Sequence, residues 1–373
     1  MKQWRFPIRK RTLSGRKPAI ATDVANTHRT KDRAMQPDIE LIEIGPREGL
    51  QYHKKYVPAE KKITLANMLF DCGFRKMEVT SFVHPKAAPQ MKDAVDVLYG
   101  IQRSRGKEGQ QRVCRVLVPN ETGCRSAIAC KADEIVVWVF LTDRLSYSTL
   151  NRSVSETLKR ISTIAEIAKT NSIKVSAYIG AAFGYPGEEG RHYENLCAMV
   201  ATLVQLGCYL VCLNDELAMA NPVTVRQHLR MCMGEVEVSK LAVHFYENRG
   251  LALANVMTAL ECGVRAFKSS LGGAGVHGYL GQLIEGKSPG GIEPHGLATE
   301  DLVYVFEEMG IRTGIDIDRL IACGRFLEGL FEMTLHSRIL SSGLSGATLS
   351  EVRMNMYEPA RRPYKHSNIG LSI

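Results

Sequence analysis

The sequence has no apolar run long enough to cross a membrane, and its cysteines show no spacing typical of a metal finger. The first absence argues against a membrane protein, because a helix needs about 20 consecutive apolar residues to span a bilayer. The ten cysteines are scattered and mostly lie in apolar runs, which is typical of reduced core cysteines in an intracellular protein. With 45% hydrophobic and 23% charged residues in a chain of 373, we expect a globular protein of the cytoplasm.

Acidic residues are nearly absent from the first 34 positions, where Asp23 and Asp32 are the exceptions. Because this segment is rich in Arg and Lys and lacks apolar periodicity, residues 1–36 are predicted to be a disordered basic leader. A transit peptide has this composition and would direct the protein to mitochondria; alternatively, the true start is Met35. The formal net charge is +9, but no basic face with aromatic or helical presentation is evident, so no nucleic-acid partner is expected.

No Gly-x-Gly-x-x-Gly motif follows the first predicted strand, which disfavours a doubly wound sheet. Eight apolar runs instead alternate with helix-patterned stretches, and this favours an α/β fold, a TIM (β/α)8 barrel, over 37–314. Extra C-terminal helices are predicted over 315–358, with a loose tail over 359–373. The predicted strands are 39–45, 76–82, 112–119, 134–142, 174–182, 208–214, 240–246 and 265–271. The predicted helices are 58–72, 88–104, 122–131, 153–171, 192–206, 222–233 and 250–262, with another from Thr299 and more over 316–342.

Polar side chains follow the predicted strands at the ends where a TIM barrel carries its active site. After the first strand, the fork of Arg47 suits a carboxylate or an enolate-like oxygen, and the carboxylate of Glu48 is a hard ligand for a divalent cation. Each polar group alone could be a salt bridge or a buried hydrogen bond, but together they favour an enzyme acting on an anionic carbonyl compound. The other groups are Glu78, Thr80, Ser81, His84, Asn120, Asn214, Asp215, Glu216, His244, Tyr246, Glu247, Asn248, Lys268, Ser269 and Ser270.

Seven motifs are spread over residues 38–330 in a fixed order. They are Gly45-Pro-Arg-Glu-Gly-Leu-Gln51, Glu78-Val-Thr-Ser-Phe82 with Pro85-Lys86, Val118-Pro-Asn120, Asn151-Arg-Ser153, Asn221-Pro222, Arg249-Gly-Leu-Ala-Leu-Ala-Asn255 and Leu297-Ala-Thr-Glu-Asp-Leu-Val303. In these motifs and their order the chain resembles the 3-hydroxy-3-methylglutaryl-CoA lyase family of aldolase-like, metal-dependent barrel lyases. The resemblance implies cleavage of a β-hydroxyacyl-CoA into an acyl-CoA and a keto acid, a divalent cation such as Mg²⁺ or Mn²⁺, and a homodimer.

The resemblance also implies roles for individual residues. Arg47 matches the arginine that stabilises the enolate of the departing thioester, and Glu78 matches the acid that supports the site. Asp215 matches the aspartate that follows strand six. His244 matches the first histidine of a metal-binding pair on strand seven.

The chain departs from the family pattern at the metal-binding positions. Glu48 replaces an aspartate, and Tyr246 replaces the second histidine of the pair, although a phenol with a pKa of about 10 is a poor ligand. Gly296 replaces an asparagine ligand, beside His295, a candidate replacement ligand. His277 replaces the cysteine of the glycine-rich loop and is a candidate proton carrier, because histidine titrates near neutrality.

Two hypotheses account for these departures. In the first, the protein is an active lyase whose rebuilt site binds a divalent cation weakly through Glu48 and His244, with Tyr246 and His295 as further candidate ligands, or lacks the cation. In the second, the site has decayed and binds an acyl-CoA or an anionic metabolite without cleaving it. Retention of the residues that match the family's catalytic positions favours the first.

Overall fold

Eight parallel strands form a closed barrel in which each strand pairs with the next and the first pairs with the last. This closure confirms the predicted TIM barrel and rules out an open sheet. The computed structural model describes residues 37–51, 53–103, 112–185, 192–275 and 295–344. The strands are β1 (Glu40–Glu43), β2 (Lys76–Ser81), β3 (Val113–Leu117), β4 (Glu134–Phe140), β5 (Lys174–Gly180), β6 (Cys208–Asp215), β7 (Leu241–Phe245) and β8 (Ala266–Ser269).

Helices follow the strands along the chain. Local signals place their ends: at the start of the 154–170 helix, Ser153 Oγ accepts from the backbone N–H of Glu156, whose carboxylate accepts from the backbone N–H of Ser153. The helices are α1 (Glu48–Gln51), α2 (Ala59–Asp71), α3 (Ala94–Arg103), α4 (Glu121–Ala129), α5 (Asp143–Leu150), α6 (Val154–Thr170), α7 (His192–Gln205), α8 (Pro222–Cys232), α9 (Ala252–Glu261), α10 (Thr299–Glu308), α11 (Ile317–Phe331) and α12 (Arg338–Ser342).

The structure differs from the predicted helices in two respects. Helices α1 and α5 were not predicted, because segments of four and eight residues are too short to show a helical period. Helix α3 begins at Ala94 rather than residue 88, since a separate 3-10 turn, Pro89–Met91, comes first. The further helices predicted over 316–342 are α11 and α12, and α11 ends where Glu332 adopts a left-handed conformation with φ of 55°.

The interior of the barrel contains both apolar and charged side chains. Arg115 on β3 is fully buried, with its Nε 3.2 Å from Glu134 Oε2 on β4. Such charges are stable inside a protein only when paired. The apolar interior cluster comprises Ile42, Ile44, Leu117, Val136, Tyr178, Leu210, Cys212, Ala242 and Ala266.

The C-terminal helices pack on the barrel through α11 and α2. The Sγ atoms of Cys72 and Cys323 lie 3.4 Å apart, and the backbone N–H of Asp316 donates to the carbonyl of Cys72 at 2.8 Å. All ten cysteines are free thiols and nine are buried, as the sequence predicted. Each helix in the described ranges is too short or too polar to cross a membrane. The domain boundary expected near residue 315 stays a prediction.

Two buried carboxyl groups predict a pH dependence of stability. Glu43 accepts from the backbone N–H groups of Gly45 and Leu271, and Glu300 accepts from that of Gly272. Burial raises the pKa of Glu43 to about 7 and that of Glu300 to about 8. The folded state binds these two protons more tightly than the unfolded state does. The stabilisation that the two carboxyl groups contribute is therefore fully present below about pH 4.5. We expect it to fall as pH rises towards 8, by up to about 1.4 kcal/mol per pH unit for each group.

Urea unfolding measured between pH 5 and pH 9 checks this dependence. In Glu300→Gln the slope of unfolding free energy against pH should be smaller, because one titrating group is gone and the amide oxygen still accepts from the backbone. Glu308→Gln, at an exposed position on α10, is the matched control and should keep the slope of the unaltered protein. Equal slopes in all three proteins would contradict the assignment.

Candidate active site

Arg47 and Glu48 lie at the carboxyl end of β1, where they are only 3% and 2% exposed. The turn that places them is closed by the backbone N–H of Gly45, which donates to Glu43 Oε1 at 2.6 Å. A Cβ atom at Gly45 would lie 2.7 Å from that same oxygen, so a larger residue would displace the turn. Arg47 and Glu48 therefore enter the barrel mouth as a fixed, buried pair.

Glu78 on β2 binds three groups at once in the barrel interior. Its Oε2 accepts from Nε and Nη2 of Arg47 at 3.0 and 2.6 Å, while its Oε1 accepts from the hydroxyl of Tyr178 at 2.6 Å and from Nζ of Lys268 at 3.1 Å. Burial opposes ionisation of Glu78, but the charges of Lys268 and Arg47 hold its pKa below the usual range. Glu78 is thus an anion that orients the guanidinium of Arg47, and its role in supporting catalysis stays a prediction.

Lys268, one of the polar groups found at the strand ends in the sequence, belongs to this cluster together with Tyr178, which the sequence analysis did not single out. Nζ of Lys268 lies 3.4 Å from the centre of the Tyr178 ring, and the lysine side chain is fully buried. Burial lowers the pKa of Lys268 to about 8, against the opposing effect of Glu78. A signal existed in the sequence, because a lysine between the apolar Phe267 and two serines is unusual in a buried strand.

Tyr246 donates a hydrogen bond to Glu48 Oε1, and Nη2 of Arg47 lies 3.1 Å from Glu48 Oε2. Burial and the nearby charge of Glu48 raise the pKa of Tyr246 well above its ordinary value, so the phenol stays neutral and acts as a donor. The structure therefore brings Tyr246 and Glu48 together as donor and acceptor. A carboxylate in this arrangement has both oxygens engaged by the protein.

His244 on β7 is oriented by Asn214 on β6. Its Nδ1 lies 2.8 Å from Asn214 Oδ1, and the amide of Asn214 is fixed because its Nδ2 donates to Glu216 at 2.6 Å. A Cβ atom built at Gly296 would lie 3.9 Å from Nε2 of His244. Position 296 is therefore close to the ring nitrogen of His244, and a side chain in place of Gly296 would begin beside it.

Asp215 is buried at the end of β6, where its carboxylate accepts from backbone groups of the following loop. The N–H of Met219 donates to Oδ1 at 2.8 Å, and the N–H of Ala220 lies 3.1 Å from both oxygens. Burial raises the pKa of Asp215 well above its ordinary value. These contacts give Asp215 a part in shaping the loop, and its catalytic role stays a prediction.

Two histidines, His277 and His295, were predicted from the sequence as a proton carrier and a metal ligand, and the structure describes only the second. His277 lies outside the described residues. His295 is partly exposed; its ring stacks on that of His336 with centroids 4.2 Å apart, and its carbonyl accepts from the backbone N–H of Glu247. The proposed ligand role of His295 has no support from these contacts and stays a prediction.

The described residues do not make up a complete cation site. Among them, no cluster of three or more His, Cys, Asp and Glu side chains is arranged to hold a metal ion. Tyr246 donates to Glu48 instead of offering a ligand nitrogen, and Gly296 has no side chain. Of the four ligands that the resemblance implies, only Glu48 and His244 are side chains able to bind a cation, and their role as ligands stays a prediction.

The fold and the site together define a (β/α)8 barrel protein with a buried, charged centre at the carboxyl ends of its strands. The chain belongs to the HMGL-like family, whose family model matches residues 38–327. This match spans nearly the whole barrel and confirms the resemblance found in the sequence motifs.

Relatives and solved structures agree with this membership. Mitochondrial hydroxymethylglutaryl-CoA lyase of Bos taurus is 35% identical over 289 residues, which cover 78% of this chain and 84% of the relative. The Bacillus subtilis hydroxymethylglutaryl-CoA lyase structure has 32% identity and a TM-score of 0.75, covering 82% of this chain and 98% of that chain. An HMG-CoA lyase of Acinetobacter baumannii, in complex with coenzyme A and 3-methylmalate, has 30% identity and a TM-score of 0.73, covering 83% and 96%.

Proposed function

We propose that the protein is a carbon–carbon lyase that cleaves a β-hydroxyacyl-CoA resembling 3-hydroxy-3-methylglutaryl-CoA into an acyl-CoA and a keto acid. The observation that carries this proposal is the position of Arg47. Its guanidinium is held by Glu78 on one side and lines the cavities of the barrel mouth on the other. The relatives named as hydroxymethylglutaryl-CoA lyases support the same reaction class.

The chemistry needs one positive group and one base. Cleavage breaks the bond between the α-carbon of the thioester and the carbinol carbon, and the electron pair moves onto the thioester carbonyl as an enolate. Arg47 stabilises this developing oxyanion, and it is pre-oriented because Glu78 fixes two of its nitrogens. The hydroxyl proton passes to a base, the keto group forms, and the enolate then takes a proton to become the acyl-CoA. His277 is the proposed proton carrier.

The alternative is a relative that binds an acyl-CoA or an anionic metabolite without cleaving it. The hydrogen bond from Tyr246 to Glu48 and the glycine at position 296 favour it, because both remove ligands from the family's cation site. The arginine-centred cluster favours the active lyase, because a site that only binds has no need of an enolate-stabilising group held so firmly.

A panel of hydroxyacyl-CoAs separates these functions. The purified full chain is titrated with each thioester by calorimetry, and the products are followed by mass spectrometry. The lyase proposal expects an acyl-CoA and a keto acid to form in equal amounts from at least one thioester. Binding of a thioester with no turnover of any member would support the alternative and overturn the lyase.

We further propose that a divalent cation, Mg²⁺ or Mn²⁺, binds weakly through Glu48 and His244. Restoring two family ligands in Tyr246→His combined with Gly296→Asn should then tighten binding by at least about tenfold, or about 1.4 kcal/mol. The physical reason is that loss of the Tyr246 hydroxyl frees Glu48 Oε1 from its hydrogen bond, and the asparagine adds an amide oxygen on a Cβ that lies 3.9 Å from Nε2 of His244. Calorimetric titration with Mn²⁺ measures the change without reference to activity.

The control for this titration is Tyr246→Phe. This variant removes the Tyr246 hydroxyl that donates to Glu48 but adds no ligand. Any gain in Mn²⁺ affinity that it causes therefore comes only from freeing the Glu48 carboxylate of that hydrogen bond. Tight Mn²⁺ binding by the unaltered chain, unchanged in the double variant, would contradict the proposal and indicate a different ligand set.

The family likeness also supports proposals for assembly and location. We propose a homodimer, which sedimentation of the purified chain would establish. We propose the cytoplasm as the location, with mitochondria as the alternative if residues 1–36 act as a transit peptide; relatives of both mitochondrial and bacterial origin are known.

A further inference from the structure

The indole of Trp138 lies on the face of β4 that points into the barrel. Residues two apart on a strand share a face, and Val136, two positions earlier, belongs to the apolar interior cluster, against which Trp138 packs. Trp138 pairs in register with Tyr178 on β5, whose hydroxyl contacts both Arg47 and Glu78. The indole is therefore next to the charged centre of the site.

Two cavities of the barrel mouth meet at this indole. The larger, of about 460 Å³, extends to helix α6, and the smaller, of about 10 Å³, lies beside Glu48 and Asn214. Arg47, Leu117 and Trp138 line both cavities. The smaller one has about the room that a single water molecule needs. It therefore admits one small group, such as a hydroxyl or a methyl.

Phe140 and Gly180 hold the indole in this position. The ring centroids of Trp138 and Phe140 are 5.0 Å apart, with 37° between the ring planes, and Phe140 is fully buried. A Cβ atom built at Gly180 on β5 would lie 2.4 Å from Cε1 of Phe140 and 2.7 Å from Nε1 of Trp138. Because the two rings fill the space up to the backbone of β5, the indole has no room to withdraw from the cavities in that direction.

We infer that Trp138 is a specificity-determining residue, whose indole limits one substituent of the substrate's carbinol carbon to about the size of a methyl group. The inference rests on the proposed function, which places the enolate oxygen at Arg47. The carbinol carbon is attached to the neighbouring α-carbon of the thioester, so its substituents lie within reach of the indole. The indole and Leu117 form an apolar wall, which favours an alkyl substituent over a charged one.

A pair of thioesters that differ in one substituent tests this wall. The first is 3-hydroxy-3-methylglutaryl-CoA, and the second carries an isobutyl group in place of the methyl. We expect the unaltered full chain to prefer the methyl compound by at least about 100-fold, because a tight apolar pocket discriminates by about 10- to 200-fold for each methylene. The preference is the ratio of dissociation constants from calorimetry, or of kcat/KM values where products form.

Two variants of the wall should change this preference by different amounts. In Trp138→Ala it should fall by at least about tenfold, because the space of the indole becomes open to the isobutyl group. Trp138→Phe keeps a ring against Phe140 and should show an intermediate preference, which also provides a measurement if the alanine variant does not fold. Tyr147→Ala is the matched control, because this aromatic side chain on α5 is 53% exposed and lines neither cavity. It should keep the preference of the unaltered chain.

Equal affinity of the unaltered chain for the two thioesters would overturn the inference. So would a preference that stays the same in both Trp138 variants. Failure of the lyase proposal is distinguishable, because dissociation constants are measured without turnover. A preference that falls in Trp138→Ala, with no product from either thioester, would support the role of Trp138 and remove only the proposed reaction.

Discussion

Replacing Arg47 with alanine is expected to lower kcat/KM for the best hydroxyacyl-CoA by about 100- to 1000-fold, or about 3–4 kcal/mol. The reason is that the guanidinium is the positive group held beside the space where an enolate oxygen would form, with two nitrogens fixed on Glu78. Because the enolate charge develops only in the transition state, the loss should appear mainly in kcat rather than in KM. Steady-state kinetics of the purified variant measure both constants.

Two further variants sharpen this result. Arg47→Lys keeps the positive charge but cannot make the two-nitrogen contact with Glu78, so its activity should fall between those of the unaltered chain and the alanine variant. Arg319→Ala, at a position where the side chain is 65% exposed on α11, should have no effect. Near-normal turnover by Arg47→Ala would remove Arg47 from the mechanism.

Replacing Glu78 with glutamine is expected to cost about 3–5 kcal/mol of the free energy of unfolding. The carboxylate is the shared acceptor for Arg47, Lys268 and Tyr178, and its side chain is fully buried. With a neutral amide in its place, two buried cations lose their main counter-charge. Urea unfolding at pH 7 measures the loss.

A double variant shows whether the loss is electrostatic. Adding Lys268→Met to Glu78→Gln removes one of the uncompensated cations and should recover part of the lost stability, whereas two independent packing defects would add. A fully additive double variant, or a Glu78→Gln protein as stable as the unaltered chain, would contradict the description of Glu78 as the centre of a charge cluster.

The barrel was predictable because its strands are buried on both faces. The segment around β7, for example, is apolar almost throughout and was predicted over 240–246, and the strand spans Leu241–Phe245. The pair Arg47 and Glu48 was predictable for a different reason, since charges directly after a Gly-Pro turn at a strand end are typical of a site. Both features are local in the sequence.

The charge cluster was not predictable, because its contacts are long-range. Tyr246 and Glu48 are 198 positions apart, and the sequence showed only that a tyrosine is a poor metal ligand, not that it donates to the carboxylate. Lys268 lies in a short strand that is buried on both faces, so alternation does not tell which side chains enter the barrel. The cavity between the barrel and α6 depends on how helices pack, which no motif records.

The measurement that tests the proposed lyase most directly is the identity of the products that the purified full chain forms from a panel of hydroxyacyl-CoAs that includes 3-hydroxy-3-methylglutaryl-CoA. Mass spectrometry distinguishes the possible outcomes because cleavage and hydrolysis leave coenzyme A on different fragments. The lyase proposal predicts an acyl-CoA and a keto acid in equal amounts from at least one thioester, with both lost in Arg47→Ala. Recovery of every thioester intact, or of only free coenzyme A with the uncleaved hydroxy acid, would contradict it.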